Sequence, residues 1–492
     1  MHRPASLLPI LAMAVAACDA PEPLPPPGPG PSPTPLVLDS VRPADGSTDV
    51  PLTTEFRLFF DRALDPASVS VTTVPTTQGG TAVPQRVLHV QANRSVRVLA
   101  PTLPGLSYVV TATTQLRGAL GERLAANVAT TITAAAQRSG VVDGAGRTGQ
   151  GLALTVDTLG VAHAAYVDST NAAIRYARCA SACGVAANWQ SVQVVQRVQL
   201  RPVGVSLAVS RAGTVAIAYV DPASQELHVA ICTTNCLGAN PFTDLRLDSP
   251  RTGAGVPSIT VDRTGRFSVA WFDPLQRLPR LATCLTGCVL PGQWNADFID
   301  IVNFEAGRRM ALRADTTTRL HVVYDDSVGN TLRYATCLTG CTSSLSWTGT
   351  DLGASRLGGI TSVALGIDPS QRPIVSAVRG RVSPSLVVAR CTAACTAAIG
   401  WNDVVVETTD AAGGTGVEVD VNDRLHVAYV AIDSTVRYAT CVASCETATR
   451  WVETTLASST RRGQPLGLSL ARDGTLRFAY WQRSDGDLVA LE

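Results

Sequence analysis

The sequence predicts an all-β protein in which an immunoglobulin-like β-sandwich precedes a seven-bladed β-propeller. Six C-x3-C pairs recur at intervals of 50 to 54 residues along the second part of the chain. Short segments of alternating apolar and polar residues recur throughout and are separated by turn-forming residues. This alternation has the period of a half-buried strand. No segment has the 3.6-residue period of an amphipathic helix, so helical repeats are disfavoured.

The composition excludes several classes of function. The chain has 492 residues and a net charge of +1, and all 40 of its basic residues are Arg. Without lysine there is no Schiff-base, P-loop or kinase lysine. A charge near zero provides no field that would attract nucleic acid, so we expect no nucleic-acid partner. No sequence motif calls for a cofactor.

The first 35 residues predict export and anchoring. An apolar stretch from Ala5 to Val15 follows a short positive start and is too short to span a bilayer. It ends in Val15-Ala16-Ala17-Cys18, which resembles the bacterial lipobox. Residues 1–18 are then a lipoprotein signal peptide with its lipobox. The resemblance implies that Cys18 is diacylated and becomes the new N-terminus, and that the protein is located in the cell envelope with the membrane as a partner. The alternative is an ordinary signal peptide. Residues 19–35 are rich in proline and predict an extended linker.

Residues 36–136 predict the β-sandwich. Segments such as Glu55 to Phe60 and Ser95 to Leu99 alternate as strands do, and the length suits an immunoglobulin-like fold. The words Arg42-Pro-Ala-Asp-Gly46 and Phe60-Asp-Arg-Ala-Leu-Asp65 resemble the bacterial Ig-like domain of surface-layer and secreted proteins. The resemblance implies a spacer or adhesion module. Asp61 and Asp65 are open to two interpretations, a cation site or turn capping, and turn capping is the commoner role.

Residues 137–492 predict the propeller, because a four-strand unit of about 52 residues fits one blade. A large aromatic stands six residues after each second Cys. In the second strand an aromatic recurs nine residues after an aspartate column, which comprises Asp157, Asp262, Asp315, Asp368 and Asp420. The fifth unit departs from this pattern and has Ala377 at the aromatic position. The motifs D-x-x-G-x-x-H-V-A-Y and Y-A-x-C-x-x-x-C resemble the propeller repeats of lipoproteins from myxobacteria-like genomes, which are loosely related to the BNR and sialidase-like families.

The last unit has three strands and no Cys pair, so its fourth strand must come from elsewhere. Residues 139–143 lie just before the first unit and match the fourth-strand position. An open sheet edge is a liability that closed rings remove. The sequence therefore predicts that residues 139–143 pair with the strand near 488–491 and close a ring of seven blades.

The cysteines predict six local disulfides in an exported chain. The expected pairs are Cys179 with Cys183, Cys232 with Cys236, Cys284 with Cys288, Cys337 with Cys341, Cys391 with Cys395, and Cys441 with Cys445. Zinc is the rival interpretation, but it needs four ligands and each pair offers two sulfurs with no attendant histidine. A redox role of the cysteine pairs is a third interpretation. We expect no metal.

Two further columns are candidate ligand sites. His163, His321 and His426 share one position, either as channel ligands or as packed histidines satisfied within their own blade. Four aspartates at the turns between second and third strands are a possible ligand face, for a cation or for sugar hydroxyls, and turn stabilisation explains them equally. They are Asp168, Asp221, Asp273 and Asp326.

Catalysis finds little support in the sequence. No G-x-S-x-G or H-E-x-x-H motif is present, and no catalytic residue can be named. The boxes of sialidases, S-x-D-x-G-x-x-W, are also missing. The sequence therefore predicts a non-enzymatic envelope lipoprotein that presents a propeller to an unknown protein or glycan. The alternative is a glycoside hydrolase or lyase of sialidase-like architecture, which a compact cluster of Arg with Glu or Tyr at the channel mouth would favour.

Overall fold

The computed structural model describes residues 34–68, 70–76, 81–90, 94–196, 204–221, 223–248, 255–284, 287–301, 305–352, 359–380, 383–458 and 460–492. The described residues form 36 β-strands, six short 3-10 turns and no α-helix. None of their helical turns has the length and hydropathy that a membrane crossing requires. The all-β prediction is confirmed. Cys18 and residues 19–33 of the predicted linker lie outside the described residues.

The first eight strands form two four-stranded sheets packed face to face. One sheet has the order β1-β3-β6-β5 and the other β2-β8-β7-β4. Alternate residues of β3, namely Phe56, Leu58 and Phe60, are buried between the sheets, as the period of a half-buried strand requires. The strands are β1 Leu38–Arg42, β2 Ser47–Val50, β3 Phe56–Phe60, β4 Val71–Pro75, β5 Arg86–Val90, β6 Ser95–Leu99, β7 Ser107–Ala112 and β8 Val128–Ala134.

The rest of the chain forms seven antiparallel four-stranded sheets, numbered here sheet 1 to sheet 7 in chain order. Sheet 1 comprises β10 Thr148–Val156, β11 Ala162–Asp168, β12 Ala173–Cys179 and β13 Trp189–Gln196. Sheet 2 comprises β14 Val205–Val209, β15 Val215–Val220, β16 Leu227–Cys232 and β17 Thr243–Asp248. Sheet 3 comprises β18 Ser258–Val261, β19 Phe267–Asp273, β20 Leu278–Cys284 and β21 Trp294–Phe298.

Sheets 4 to 7 repeat the same order, and sheet 7 takes its outer strand, β9 Ser139–Asp143, from the start of the repeat region. The strands are β22 Ala306–Ala314, β23 Leu320–Asp326, β24 Thr331–Cys337 and β25 Thr348–Asp351; β26 Ile360–Ile367, β27 Pro373–Arg379, β28 Ser385–Cys391 and β29 Trp401–Glu407; β30 Ala411–Val419, β31 Leu425–Ala431, β32 Val436–Cys441 and β33 Val452–Ala457; and β34 Leu466–Leu470, β35 Leu476–Trp481 and β36 Leu488–Leu491.

The predicted pairing of the two ends is confirmed. β9 lies antiparallel to β36, with Asp143 opposite Leu488 and Ser139 opposite Leu491. The backbone N–H groups of Arg138 and Glu492 each donate to the carbonyl of the other residue, at 2.8 and 2.9 Å. The outer edge of sheet 7 is therefore covered by a strand from the other end of the repeats.

The first strand of each sheet is an inner edge whose N–H groups have no neighbouring strand. Hydroxyl groups of the preceding sheet accept some of these N–H groups. Ser206 Oγ accepts Ile259 N–H at 2.6 Å, and Ser258 Oγ accepts Leu312 N–H at 2.9 Å. A further bond, from Val156 N–H to Ser469 Oγ at 3.0 Å, joins sheet 1 to sheet 7. The first strand of sheet 7 thus contacts that of sheet 1, as it contacts that of sheet 6.

All six predicted disulfides are present, one in each of sheets 1 to 6, and each closes the loop between the third and fourth strands. The two sulfurs of every pair are bonded to each other, so the local pairing is confirmed over the rival zinc interpretation. In chain order the bonds join Cys179 and Cys183, Cys232 and Cys236, Cys284 and Cys288, Cys337 and Cys341, Cys391 and Cys395, and Cys441 and Cys445.

The constant spacing from each second cysteine to the following aromatic has a physical reason. The indole Nε1–H of Trp189 donates to the carbonyl of Cys183 at 2.8 Å, and the other four tryptophans repeat this bond. In sheet 2 the aromatic is Phe242, which has no N–H to donate to Cys236. The tryptophan therefore fixes the disulfide loop on the fourth strand in five of the six sheets.

The β-sandwich packs against sheets 6 and 7, on the side that carries the turns between first and second strands. Thr53 Oγ1 donates to the carbonyl of Gly474 at 2.7 Å, and Arg97 donates to Asn422 Oδ1 at 2.8 Å. Arg424 is 1 % exposed and its guanidinium donates to the carbonyls of Leu52 and, at 3.2 Å, Thr54. One apolar core runs from the sandwich into both sheets.

Candidate functional site

The sheets have two ends, and each end carries its own set of turns. The 2–3 face carries the turns between second and third strands. The 1–2 face carries the turns between first and second strands, the disulfide loops and the docked sandwich.

The four predicted aspartates lie on the 2–3 face, and their carboxylates stabilise their own turns. Asp168 Oδ1 accepts the N–H groups of Thr170 and Asn171, both at 3.0 Å. Asp273 and Asp326 accept the two equivalent N–H groups of their turns, and Asp221 accepts one. All four are buried. In the described part of the chain no three His, Cys, Asp or Glu side chains are grouped as a metal site.

The aspartate column lies on the 1–2 face, where its first carboxylate oxygen closes the turn. Asp315 Oδ1 accepts the N–H groups of Thr317 and Arg319 at 2.7 and 2.9 Å. Asp157, Asp262 and Asp420 accept the same two N–H groups of their turns. This is the turn role expected for Asp, and it fixes the second oxygen in a repeated position.

A histidine or an arginine side chain lies beside this second carboxylate oxygen. In sheets 1 and 4 the Nε2 atoms of His163 and His321 lie 3.2 and 3.3 Å from the aspartate. In sheets 3 and 5 the histidine position holds Ser268 or Ile374, and an arginine four residues after the aspartate donates instead. Arg266 Nε bonds Asp262 Oδ2 at 3.1 Å, and Arg372 Nε bonds Asp368 Oδ2 at 2.9 Å.

Each column histidine is bonded through Nδ1 within its own sheet, whereas the Nε2 atom of His426 lies 3.8 Å from Asp420 Oδ2 and makes no hydrogen bond with the described residues. The three Nδ1 atoms lie 2.6 to 2.7 Å from the hydroxyls of Tyr176, Tyr334 and Tyr438 on the third strand. Burial lowers the pKa of each histidine despite the neighbouring carboxylate, so all three are neutral at pH 7. Burial also raises the pKa of Tyr334 to about 12. These Asp–His–Tyr groups are packed, and none of them presents a nucleophile to solvent. The channel-ligand interpretation is wrong.

A second set of tyrosines explains the aromatic of the second strand. Tyr166 donates to Asp143 Oδ2 at 2.6 Å, and Arg175 also contacts that oxygen, at 2.8 Å. Tyr324, Asp300 and Arg333 form the same arrangement between sheets 3 and 4. Burial raises the pKa of both tyrosines, so their hydroxyls are donors that link adjacent sheets. These Arg, Tyr and acid side chains therefore do not gather at the channel mouth.

The first strands of all seven sheets line a central channel of about 420 Å3. On the 1–2 face it opens into a mouth of about 460 Å3, lined by the turns of sheets 1 to 6. Inside the channel, Arg313 of sheet 4 reaches past sheet 5 and its Nη2 binds Glu418 of sheet 6 at 2.8 Å. On the way, Arg313 Nε donates to the carbonyl of Leu365 in sheet 5 at 3.0 Å.

Several arginines of the 1–2 face make no hydrogen bond or ion pair through their side chains with the described residues, and three of them lie on neighbouring turns of the channel mouth. These three are Arg211, Arg263 and Arg319, on the turns of sheets 2, 3 and 4, and we call them the arginine arc. Arg211 and Arg263 are exposed and line the mouth. The four column aspartates that line the mouth are, by contrast, at most 6 % exposed; they are Asp262, Asp315, Asp368 and Asp420. The solvent-facing charge of these turns is therefore positive.

Residues 32–134 match the family model of the bacterial Ig-like domain. The match covers the β-sandwich and confirms the resemblance inferred from the sequence. No curated protein matches the chain.

Several solved structures are similar to the chain in fold. A fungal lectin from Aleuria aurantia, described as a six-bladed β-propeller that recognises fucose, has 13% identity and a TM-score of 0.39 and covers 64% of this chain and 97% of its own. A polysaccharide lyase has 8% identity, a TM-score of 0.46 and coverages of 70% and 89%. Kuenenia stuttgartiensis hydrazine synthase has 10% identity, a TM-score of 0.47 and coverages of 69% and 95%.

Proposed function

We propose that this protein is a non-enzymatic binding protein of the cell envelope. In this proposal the seven sheets are the blades of a seven-bladed β-propeller, the sandwich is its spacer, and Cys18 carries a lipid anchor. The ligand, a glycan or a protein, occupies the channel mouth on the 1–2 face. The alternative of a hydrolase or lyase is not favoured by any specific contact among the described residues.

The propeller assignment rests on the arrangement of the first strands. Every one of the seven lines the same channel, and hydroxyl bonds such as Ser469 to Val156 connect one first strand to the next. Pairing of β9 with β36 supplies the outer strand that the last unit lacks. A ring of this kind leaves only short, protected edges, which disfavours strand pairing with other chains.

The channel mouth is the observation that carries the binding proposal. Six turns converge on a cavity of about 460 Å3, a volume within the range of small-ligand sites. The column aspartates that line the mouth are buried and bonded, whereas Arg211 and Arg263 are exposed and unpaired among the described residues. Unpaired cations beside a cavity are available to a ligand at no cost in broken ion pairs. On the 2–3 face the four predicted aspartates are bonded to backbone N–H groups of their own turns.

Blocking the mouth tests this proposal. Thr316 is exposed and lines the mouth, and its hydroxyl makes no hydrogen bond with the described residues, so Thr316→Trp should fill the opening without unfolding the sheet. Val328 is 75 % exposed on the 2–3 turn of the same sheet, and Val328→Trp is the matched control. We expect Thr316→Trp to abolish retention on a panel of envelope polysaccharides and proteins, and Val328→Trp to retain it. Equal binding by both variants contradicts the mouth as the site.

Anchoring is tested separately. Cys18→Ala should leave the protein unacylated and move it from the membrane fraction to the soluble fraction. Labelling with a radioactive or clickable fatty acid distinguishes lost acylation from impaired export. A variant that stays in the membrane fraction contradicts lipid anchoring and leaves the binding proposal unaffected.

A further inference from the structure

The arginines of the arc are unpaired because their turns hold more arginine side chains than there are aspartate oxygens available to bind them. In sheet 2 the column residue is Ser210, so Arg211 has no carboxylate beside it. In sheet 3, Arg266 already donates to Asp262, so Arg263 has no carboxylate partner in its turn. In sheet 4, His321 faces the second oxygen of Asp315, the position that arginine fills in sheets 3 and 5, and Arg319 is therefore released. Three consecutive turns each end with one surplus guanidinium group.

We propose that the ligand of the channel mouth is an acidic polysaccharide, whose carboxylate or sulfate groups are bound by Arg211, Arg263 and Arg319. The inference rests on the proposed function and names the chemical class of its ligand. Guanidinium groups offer a planar fork of donors that matches a carboxylate or an oxyanion in bidentate geometry. Such contacts are stronger than neutral hydrogen bonds, so a charged sugar is favoured over a neutral one.

The placement of the arc favours a chain over a single small anion. The three arginines lie on neighbouring sheets, and packed sheets are about 10 Å apart. One small anion therefore meets one guanidinium group, whereas a polymer with a charge on successive residues meets all three. Several weak ionic contacts along one chain add to a useful affinity, and this affinity must fall with salt.

The surroundings of the arc do not favour nucleic acid. Single-stranded nucleic acid is held by aromatic side chains on which bases stack. In the described residues no Phe, Tyr or Trp is exposed, and the tyrosines of sheets 1, 2, 4 and 6 are buried. A neutral glycan that needs an aromatic platform is disfavoured for the same reason. The side chains available at this mouth therefore favour a ligand that is bound through ionic contacts.

The test uses the full chain, with polygalacturonate as the carboxylated probe, dextran sulfate as the sulfated probe, and neutral dextran and a single-stranded oligonucleotide as comparisons. The arc variant is Arg211→Gln with Arg263→Gln. The control variant, Arg246→Gln with Arg277→Gln, removes the same charge from side chains that are 62 % and 56 % exposed near the 2–3 turns. Binding is measured by biolayer interferometry at several salt concentrations, and thermal melting confirms that both variants fold.

We expect the wild type to bind one or both acidic polysaccharides and to bind neutral dextran at least tenfold more weakly. The arc variant should lose at least tenfold in affinity and show a shallower salt dependence, whereas the control should change less than twofold. Arg319→Gln, which leaves the mouth lining intact, should lose a smaller factor in the same direction. The preference between the two acidic probes identifies carboxylate or sulfate as the bound group.

Three outcomes overturn the inference. Equal losses in the arc and control variants mean that the attraction is general charge and not a site. Tighter binding of the oligonucleotide than of either polysaccharide reassigns the arc to nucleic acid. Binding of neutral dextran that Thr316→Trp abolishes and the arc variant does not affect keeps the channel mouth as the site and rejects the acidic ligand. Only a mouth that binds nothing contradicts the proposed function as well.

Discussion

The 1–2 turns of sheets 4 and 6 share four key residues and have different surroundings. Each has an aspartate, a histidine six residues later and a tyrosine on the third strand that bonds the histidine. Each also has an arginine four residues after the aspartate. In sheet 6 this arginine, Arg424, is buried and donates to two carbonyls of the sandwich. In sheet 4 its equivalent, Arg319, makes no side-chain bond with the described residues.

The difference shows how a repeat can acquire separate roles at equivalent positions. The histidine already faces the aspartate in both turns, so the arginine is free to contact something else. Where the sandwich covers the turn, the arginine fixes the domain in place. Where the turn is uncovered, the same side chain is available to a ligand. Arg424 is buried enough that burial lowers its pKa, although Asp420 at 3.6 Å opposes the shift.

The largest difference between the two turns is expected from arginine replacement. Arg424→Gln should lower the free energy of unfolding by about 3 kcal/mol, because it leaves Asp420 and the carbonyls of Leu52 and Thr54 buried without their partner. Arg319→Gln should cost less than about 0.5 kcal/mol, as surface changes do. Urea unfolding of both variants measures the two values. Equal costs contradict the assignment of Arg424 as the contact that holds the sandwich.

A second prediction concerns a feature in which the two turns agree. Removing the disulfide of sheet 4, with Cys337→Ser and Cys341→Ser, should cost about 2 kcal/mol for so short a loop. The same change at Cys441 and Cys445 in sheet 6 should cost the same. Chemical unfolding of the two variants tests this, and thiol titration of the unreduced wild type should detect none of the twelve paired cysteines. A much larger cost in sheet 6 means that the docked sandwich depends on that loop.

A third prediction isolates the hydrogen bond between tyrosine and histidine. Tyr334→Phe and Tyr438→Phe each remove one hydroxyl and leave His321 or His426 Nδ1 unpaired in a buried site. The expected cost is about 1 kcal/mol in each sheet, the usual net value of one hydrogen bond. Tyr324→Phe is a useful comparison, because it removes a different hydroxyl that links sheet 4 to Asp300. Near-zero costs for the first two variants show that the phenol is only a packing group.

Much of the fold could be predicted from the sequence because the repeat has a period. The strand pattern, the six disulfides and the pairing of residues 139–143 with 488–491 follow from spacing and from a missing strand. The packing of the sandwich on sheets 6 and 7 could not be predicted. Arg424 and Arg319 hold the same position relative to their aspartate and histidine, and the tertiary arrangement brings Leu52 and Thr54 over Arg424.

The candidate site was harder to predict than the fold. Asp168 and its three equivalents form a regular column, but regular acids at turns cap backbone N–H groups. The arginine arc is irregular: Arg211 and Arg263 come one residue after the column position, and Arg319 comes four after it. A signal was nevertheless present in the sequence. A cation whose repeat partner is absent or already paired, as Arg211 beside Ser210, is a candidate for an external ligand.

The smallest expected effect is the response of these turns to mild acid. The pKa values of His321 and His426 lie below the unfolded value of 6.5, chiefly because both rings are buried. The unfolded chain therefore takes up protons first as the pH falls, and the folded protein loses stability below about pH 6.5. At pH 6.0 the linkage limits each histidine to less than about 1 kcal/mol. Asp315 and Asp420 have lowered pKa values and stay ionised at pH 6.0, so they do not change the free energy of unfolding over this pH range.

Urea unfolding at pH 7.5 and 6.0 should show a loss of unfolding free energy on acidification. His321→Asn and His426→Asn should each reduce this loss by a similar amount, whereas Ser268→Ala, at the equivalent position of sheet 3, should leave it unchanged. A larger reduction in sheet 6 alone means that the sandwich, and not the repeat, sets the environment of His426.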